Sequence, residues 1–246
     1  MSSRVAPLRY LVFLGRTLTG PWDVRHTWPR MLDQMYVHGV GALPVVILAA
    51  VFVGLTTAVQ TSYQLMGVVP KYFVGMGVGR LVLIELAPVF TAFIVAGRSA
   101  SSMAAELGAM RVSEQVDALT VMAVNPHRYL CLPRIAALVL SLPVLVVVME
   151  LVAVGVALVI SAAALDVSAY TFRYGITHFF IARDFFGGLG KALLFGLVIA
   201  ANGCYFGFSV EGGSEEVGRA TTRAVVTSAA MILGFNFLVA FLFFNA

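Results

Sequence analysis

Charge is what this sequence has least of. Of 246 residues, 16 are Lys or Arg and 12 are Asp or Glu, 11% in all, where soluble domains carry about a quarter. With 60% of its positions hydrophobic, the chain reads as an integral membrane protein. Its apolar runs are long enough for helical crossings, and it has none of the ten-residue alternating segments of an outer-membrane barrel. It has no Lys/Arg run and no aromatic-basic platform, so the net charge of +4 speaks to orientation and lipid headgroups, and no nucleic-acid partner is expected. Cys131, beside a polar segment, and Cys204, inside an apolar run, are expected at different depths, with no disulfide framework and no metal spacing. Catalytic strings are missing as well. There is no G-x-x-x-x-G-K-[ST], of which Gly190-Lys191-Ala192 is only an echo, no H-E-x-x-H and no G-x-S-x-G. His26, His38, His127 and His178 are scattered, and none partners Ser99, Ser101 or Ser102 in a catalytic string. The chain is expected to be non-catalytic and to hold no metal.

What is there is a set of greasy runs and one long polar interruption, residues 98–134. From Ala104 to Ala123 this segment has a single Gly and no Pro, and Val112, Val116, Leu119 and Ala123 recur at helical spacing, which predicts a short amphipathic helix. Glu106, Ser113 and Asp117 line another side, and Arg111 and Glu114 are spaced to pair across a turn for ~0.3 kcal/mol. Asn125-Pro126 ends the helix, because a proline displaces the residue before it from helical geometry and donates no hydrogen bond. A helix too polar for lipid, between two spans, either lies solvated against the surface or docks a soluble partner.

The N-terminal stretch places Leu8, Leu11, Leu14 and Leu18 on one side of a helix, with Arg9 and Arg16 elsewhere. That suits a helix lying in the interface, and Trp22, Trp28 and Tyr36 extend the boundary zone. The two arginines also interrupt any signal-peptide core, so the first residues are expected to be retained. From Gly39 to Pro70 no charge occurs for 32 residues, more than the ~20 that one crossing requires. Pro44, Gly54, Thr56, Thr57, Gln60 and Thr61 point to a broken or re-entrant segment, with a steep tilt as the other possibility. Gly75-x-Gly77-x-Gly79 is expected to be a flexible turn. The expected spans are residues 39–70, 81–97, 135–165, 187–210 and 224–246. They follow an interfacial region at 1–38, and 98–134 falls between spans 2 and 3. Eleven arginines (4, 9, 16, 25, 30, 98, 111, 128, 134, 219 and 223) then share one side with the N-terminus, against Lys71, Arg80, Arg173 and Arg183 opposite. The positive-inside rule puts the N-terminus and the polar segment in the cytoplasm.

The segment's wording carries more. E-L-G-A-M-R-V-S-E-Q-V-D-A-L (106–119), preceded by A-G-R-S and followed by N-P and P-R, closely resembles the cytoplasmic coupling segment of MlaE/YrbE-type permeases. A second string, G-R-A-T-T-R-A-V-V-T-S (218–228), sits before the last span, where that family has a similar one. With residues 83–97 and the spacing of the spans, the resemblance runs from about residue 40 to the C-terminus. It implies the membrane subunit of an Mce-associated ABC lipid transporter of the bacterial inner membrane. The implied partners are a second copy of the chain, an ATPase dimer holding ATP and Mg, an Mce-domain lipid-binding protein, a small ATPase-associated accessory subunit, and phospholipid or a similar lipid as cargo. The ATPase-coupling residues it implies are Glu106, Gly108, Met110, Arg111, Glu114 and Asp117.

Ionisable groups in mid-bilayer cost a few kcal/mol, so Glu85, Glu150 and Lys191 need a reason. By resemblance Glu85 and Lys191 match charged positions near a lipid cavity; alternatively they pair to hold helices together. Asn236 falls where some relatives carry Asp. Glu150 has no matching family position and is expected to make a helix-helix hydrogen bond as the neutral acid. Gly203-x-x-x-Gly207 permits close helix packing within the subunit or, as the second choice, in a dimer. The competing class is an ion-coupled secondary transporter driven through these charges, but such folds usually pair broken helices in matching halves, and no matching half is visible.

Overall fold

The computed structural model describes residues 6–18, 24–65 and 69–244. Arg4 and Trp22, and the side chains of Leu8, Arg16, Leu18 and Arg25, lie outside the described residues. Every regular element among the described residues is helical: α1 (Ala6–Leu18), α2 (Val24–His38), α3 (Leu43–Leu65), α4 (Tyr72–Leu81), α5 (Ala87–Val95), α6 (Ser101–Val112), α7 (Gln115–Val121), α8 (Leu132–Ala164), α9 (Ala169–His178), α10 (Ala182–Phe208) and α11 (Ser214–Phe244). A 3₁₀ turn at Val40–Ala42 joins α2 to α3, and π segments at Val82–Leu86, Ala96–Ala100 and His127–Cys131 join α4 to α5, α5 to α6 and lead into α8. Five helical runs are long and apolar enough to cross a membrane: Thr27–Leu65, Tyr72–Val112, His127–Ala164, Ala182–Phe208 and Ser214–Leu242. The chain is a multi-pass membrane protein.

Several local expectations change. The first span is unbroken from Leu43 to Leu65, and its one irregularity is the 3₁₀ turn before Pro44, where a proline costs no helical hydrogen bond. Thr56 and Thr57 stay in the helix by donating to the Phe52 and Val53 carbonyls, at 2.8 and 2.6 Å, which satisfies their hydroxyls without water. Gly75, Gly77 and Gly79 belong to α4 and form no flexible turn. The second span extends to Val112, so residues 98–112 continue it as helix, and the last helix begins at Ser214, so 218–228 is helical rather than loop.

Cys131 and Cys204 do not lie at different depths. Their buried, free thiols sit within hydrogen-bond reach of each other. His127 stacks on Phe208 with ring centroids 5.0 Å apart, so the start of the third run meets the end of the fourth. Counting depth from the polar segment missed this, because the third run starts before that segment ends.

The chain divides into two compact units, Met1–Ala42 with Ala92–Leu142 and Leu193–Leu238, and Leu43–Thr91 with Pro143–Ala192 and Val239–Ala246. In the first, α6 and α10 meet through small residues. A Cβ on Gly203 would lie 3.1 Å from the Ala100 carbonyl, and one on Gly207 3.1 Å from that of Ala104, so the G-x-x-x-G pair packs within the subunit against an A-x-x-x-A pair. α1 docks there through Phe13, which is buried, and Tyr10, whose ring meets Tyr205 edge-on at 5.1 Å. Burial, with Cys204 and Tyr205 beside it, pushes the Tyr10 phenol up to about 12. Of the expected leucine face, Leu11 remains 64% exposed and Leu14 is half-buried.

In the second unit, α4 and α9 cross at two glycines. A Cβ on Gly75 would strike the Phe172 carbonyl, and one on Gly175 the Tyr72 carbonyl. α3 meets α8 in the same way, with Gly54 against the Ala153 carbonyl. Gly75→Leu is therefore expected to destabilise the protein by about 2–3 kcal/mol through forced separation of α4 and α9, lowering the unfolding midpoint in detergent by about 5–10 °C. Gly155→Ala, which meets nothing within 4 Å, should leave that midpoint unchanged or raise it.

Candidate functional site

The polar segment is two helices. α6 stops at Val112, Ser113 and Glu114 form an elbow with Glu114 left-handed at φ 58°, and α7 follows. A second left-handed residue, Ala123 at φ 57°, closes the segment ahead of Asn125-Pro126. The Asn125 carboxamide oxygen then accepts from the His127 N–H at 3.1 Å, capping the next helical run. The single helix expected over 104–123 fails at the elbow. Arg111 consequently pairs with Asp117 rather than Glu114, because the bend carries the α7 carboxylate back over the end of α6.

The expected coupling residues divide into two groups. Glu106 is anchored within the chain, since Arg134, only 4% exposed, reaches it at 2.7 Å and also donates to the Leu130 carbonyl at 2.6 Å. Gly108 is buried, and a Cβ there would meet Val210 at 3.1 Å and Val217 at 3.3 Å. Glu114 and Asp117 are exposed, and Met110 and Arg111 are half-buried. Val116 packs inward while Val112, Met122 and Val121, the last 87% exposed, face outward. The expected apolar stripe is thus split, with Val116 inward and Val112 outward, two positions before the exposed Glu114. Sequence reasoning missed Arg134 as the partner of Glu106, because 28 positions separate them across a bend that only the folded chain closes.

In the second unit Lys191 is 1% exposed and its ammonium donates to Glu85 at 2.6 Å and to the Ile84 carbonyl at 3.0 Å. The second bond has a local cause. In an α-helix the Ile84 carbonyl would accept from residue 88, which is proline and has no N–H, and the π segment at Val82–Leu86 relieves the same defect. Gly188 brings α10 close, since a Cβ there would strike the Leu83 carbonyl. Arg80 and the buried Asp184 form a second pair at 2.9 Å, which the sequence did not advertise. Glu150 is 3% exposed, its Oε1 has no hydrogen-bond partner among the described residues, and it lies 3.6 Å from where a Gly188 Cβ would be. The helix-helix hydrogen bond expected of Glu150 is not made at this oxygen. Asn236 is half-buried on α11, in the first unit. A hydrogen bond not expected joins Asn202 of α10 to Ser228 of α11 at 3.2 Å.

Five runs apolar enough to cross a membrane, a buried Lys191–Glu85 pair and an exposed elbow between the second and third runs are what the geometry offers for comparison. The sequence matches the family described as Permease MlaE over residues 31–242. It is 37% identical over 214 residues to a probable ABC transporter permease protein of Synechocystis sp., covering 87% of this chain and 81% of that one. It is also 35% identical over 215 residues to a probable ABC transporter permease protein of Rickettsia felis, covering 87% and 83%. A third, from Pyropia yezoensis, is 28% identical with 87% and 82% covered. The chain belongs to the MlaE permease family and is an ABC transporter permease.

Removing the exposed partner would leave the Arg134 cation buried without its carboxylate, so Glu106→Ala is expected to cost about 3 kcal/mol, read as a lower unfolding midpoint. Arg219→Met, which breaks the exposed pairs to Glu215 and Glu216, should cost under about 1 kcal/mol.

Proposed function

We propose that this chain is the permease subunit of a transporter that moves phospholipid, or a lipid like it, across or out of the bacterial inner membrane. ATP and Mg are held by a partner ATPase dimer. Two copies of the chain form the path, an Mce-domain lipid-binding protein receives or delivers cargo on the far side, and a small accessory subunit attends the ATPase. The N-terminus and the elbow are cytoplasmic, as the arginine bias favours. The observation that carries this reading is the elbow itself. Its exposed surface joins carboxylates at Glu114 and Asp117 to apolar Val112, Val121 and Met122, the mixture that suits a protein partner better than water.

A partner that closes on ATP binds one arrangement of the elbow better than another, and this difference in contact energy is the only way its stroke can bias the permease. The part-exposed Glu85 carboxylate serves as polar lining of the path, held in place by the buried Lys191. A lipid cargo is favoured by α3, whose outward face carries Leu48, Phe52, Val59 and Tyr63, and by an open cavity of about 480 Å³ lined by Leu55, Thr56, Val59, Gln60 and Tyr63. Such an apolar wall accommodates acyl chains without wetting.

In a co-expressed complex, Glu114→Arg combined with Val121→Asp is expected to reduce co-purification of the ATPase at least tenfold, a loss of about 1.4 kcal/mol or more. Unchanged co-purification would remove the docking role. Lys191→Ala should lower lipid transfer in reconstituted vesicles while leaving the assembled complex intact; loss of assembly would assign Lys191 to structure.

A further inference from the structure

A cleft of about 850 Å³ in the first unit lies on the inner side of the elbow, away from the exposed Val121 and Met122. Arg9 and Val12 of α1 line one side of it, Arg111 and Thr120 of the elbow a second, and Phe208 and Glu211 at the end of α10 a third. Phe13 and Tyr205, also in its lining, stand edge to face at 5.6 Å.

Its depth follows from the spans. His127, which opens the third run, and Phe208, which closes the fourth, both line the cleft. Both runs are longer than the ~30 Å apolar layer, so their ends, and the cleft with them, lie at the headgroup side of that layer or beyond it. α1 exposes Leu11 next to the cleft-lining Val12, an apolar side chain suited to the boundary of the acyl layer.

The charges in it are complementary to a ligand carrying both signs. Among the described residues Arg9 and Glu211 have no hydrogen-bond or ion-pair partner. Arg111 commits only Nη1 to Asp117. A simple anion in the cleft would face the Glu211 carboxylate, and a simple cation would face two guanidinium groups. A phosphate linked to a primary ammonium can meet both, with guanidinium forks on the phosphate oxygens and the carboxylate accepting from the ammonium. Phosphoglycerol brings no cation, and phosphocholine has no N–H to donate. We propose that the cleft binds the headgroup of a phosphoethanolamine phospholipid from the leaflet on the elbow's side. Arg9 and Arg111 hold the phosphate, Glu211 holds the ammonium, and the aromatic floor carries the glycerol end. The bound lipid ties α1 to the elbow. The assignment is independent of the transported cargo, and it shares Arg111 with the elbow proposed above as the ATPase dock.

The test is native mass spectrometry of the intact complex extracted from vesicles of equimolar phosphatidylethanolamine, phosphatidylglycerol and phosphatidylcholine. The wild type should retain the ethanolamine lipid about fivefold over the other two, the scale of one charge-assisted contact. Arg9→Ala should reduce that retention by a similar factor. Glu211→Gln should remove the preference over phosphatidylglycerol while leaving phospholipid bound. Equal retention of the three lipids by the wild type, or no change in either variant, overturns the proposal. If a variant does not assemble, wild-type complex with headgroup-photoreactive phosphatidylethanolamine decides: labelling of α1 or α7 supports the site, and labelling confined to other elements overturns it. Competition by soluble glycerophosphoethanolamine at the same concentration as the lipid would reassign the cleft to a free phosphoester. Cross-linking of residue 12 to another subunit in place of the lipid would reassign it to a protein. Either result overturns the proposal.

Discussion

Backbone contact at small residues is the constraint on which this structure depends. Between helices in a membrane, water gives no hydrophobic push, so association rests on van der Waals packing and on how closely the backbones can approach. The chain meets this with glycines placed where a methyl group would collide with a neighbouring carbonyl: Gly54 on Ala153, Gly75 on Phe172, Gly175 on Tyr72 and Gly188 on Leu83. In the first unit Gly203 and Gly207 serve the same end against Ala100 and Ala104. The close approach also fixes where the few charges can reach. Gly188 draws α10 against the π segment near Ile84, and one turn further on Lys191 finds both the Ile84 carbonyl and Glu85.

The charges obey a related rule. A buried cation in low dielectric must be paired and hydrogen-bonded, and Lys191 and Arg134 each have one carboxylate and one main-chain carbonyl. In both cases the carboxylate is the more exposed partner. This leaves one side of each pair open to water, lipid or another chain, so neither pair is a sealed structural rivet. Glu150 departs from the rule, buried with one oxygen unmatched among the described residues.

The five crossings were legible in the sequence, because length and apolar composition alone decide them, and so were the Glu85–Lys191 partnership and the intramolecular use of Gly203-x-x-x-Gly207. Boundaries and breaks were less legible for physical reasons. Threonines that normally mark irregular backbone in a span are satisfied by their own helix at Phe52 and Val53, so the break read from them is absent. A run of glycines that resembles a turn is a helix when another helix lies against it, as α9 lies against α4. The elbow at Ser113–Glu114 carries neither Gly nor Pro, the residues that usually announce one. The pairing of Glu106 with Arg134 and the meeting of Cys131 with Cys204 depend on distant segments returning to one place, which no local pattern encodes.

That unannounced elbow bears on function more than its size suggests. A non-glycine residue in the left-handed region costs roughly 1 kcal/mol that a glycine would avoid, and here two occur within ten positions, at Glu114 and Ala123. α7, only seven residues long, has too few internal hydrogen bonds to impose such a conformation by itself. What holds it is tertiary: Val116 buried beneath it and Arg111 gripping Asp117 across the bend. Strain kept in place by two contacts can be released by changing either one. A segment held by so few contacts is easier to rearrange than an uninterrupted helix over the same residues, which is what the proposed coupling to a partner ATPase needs.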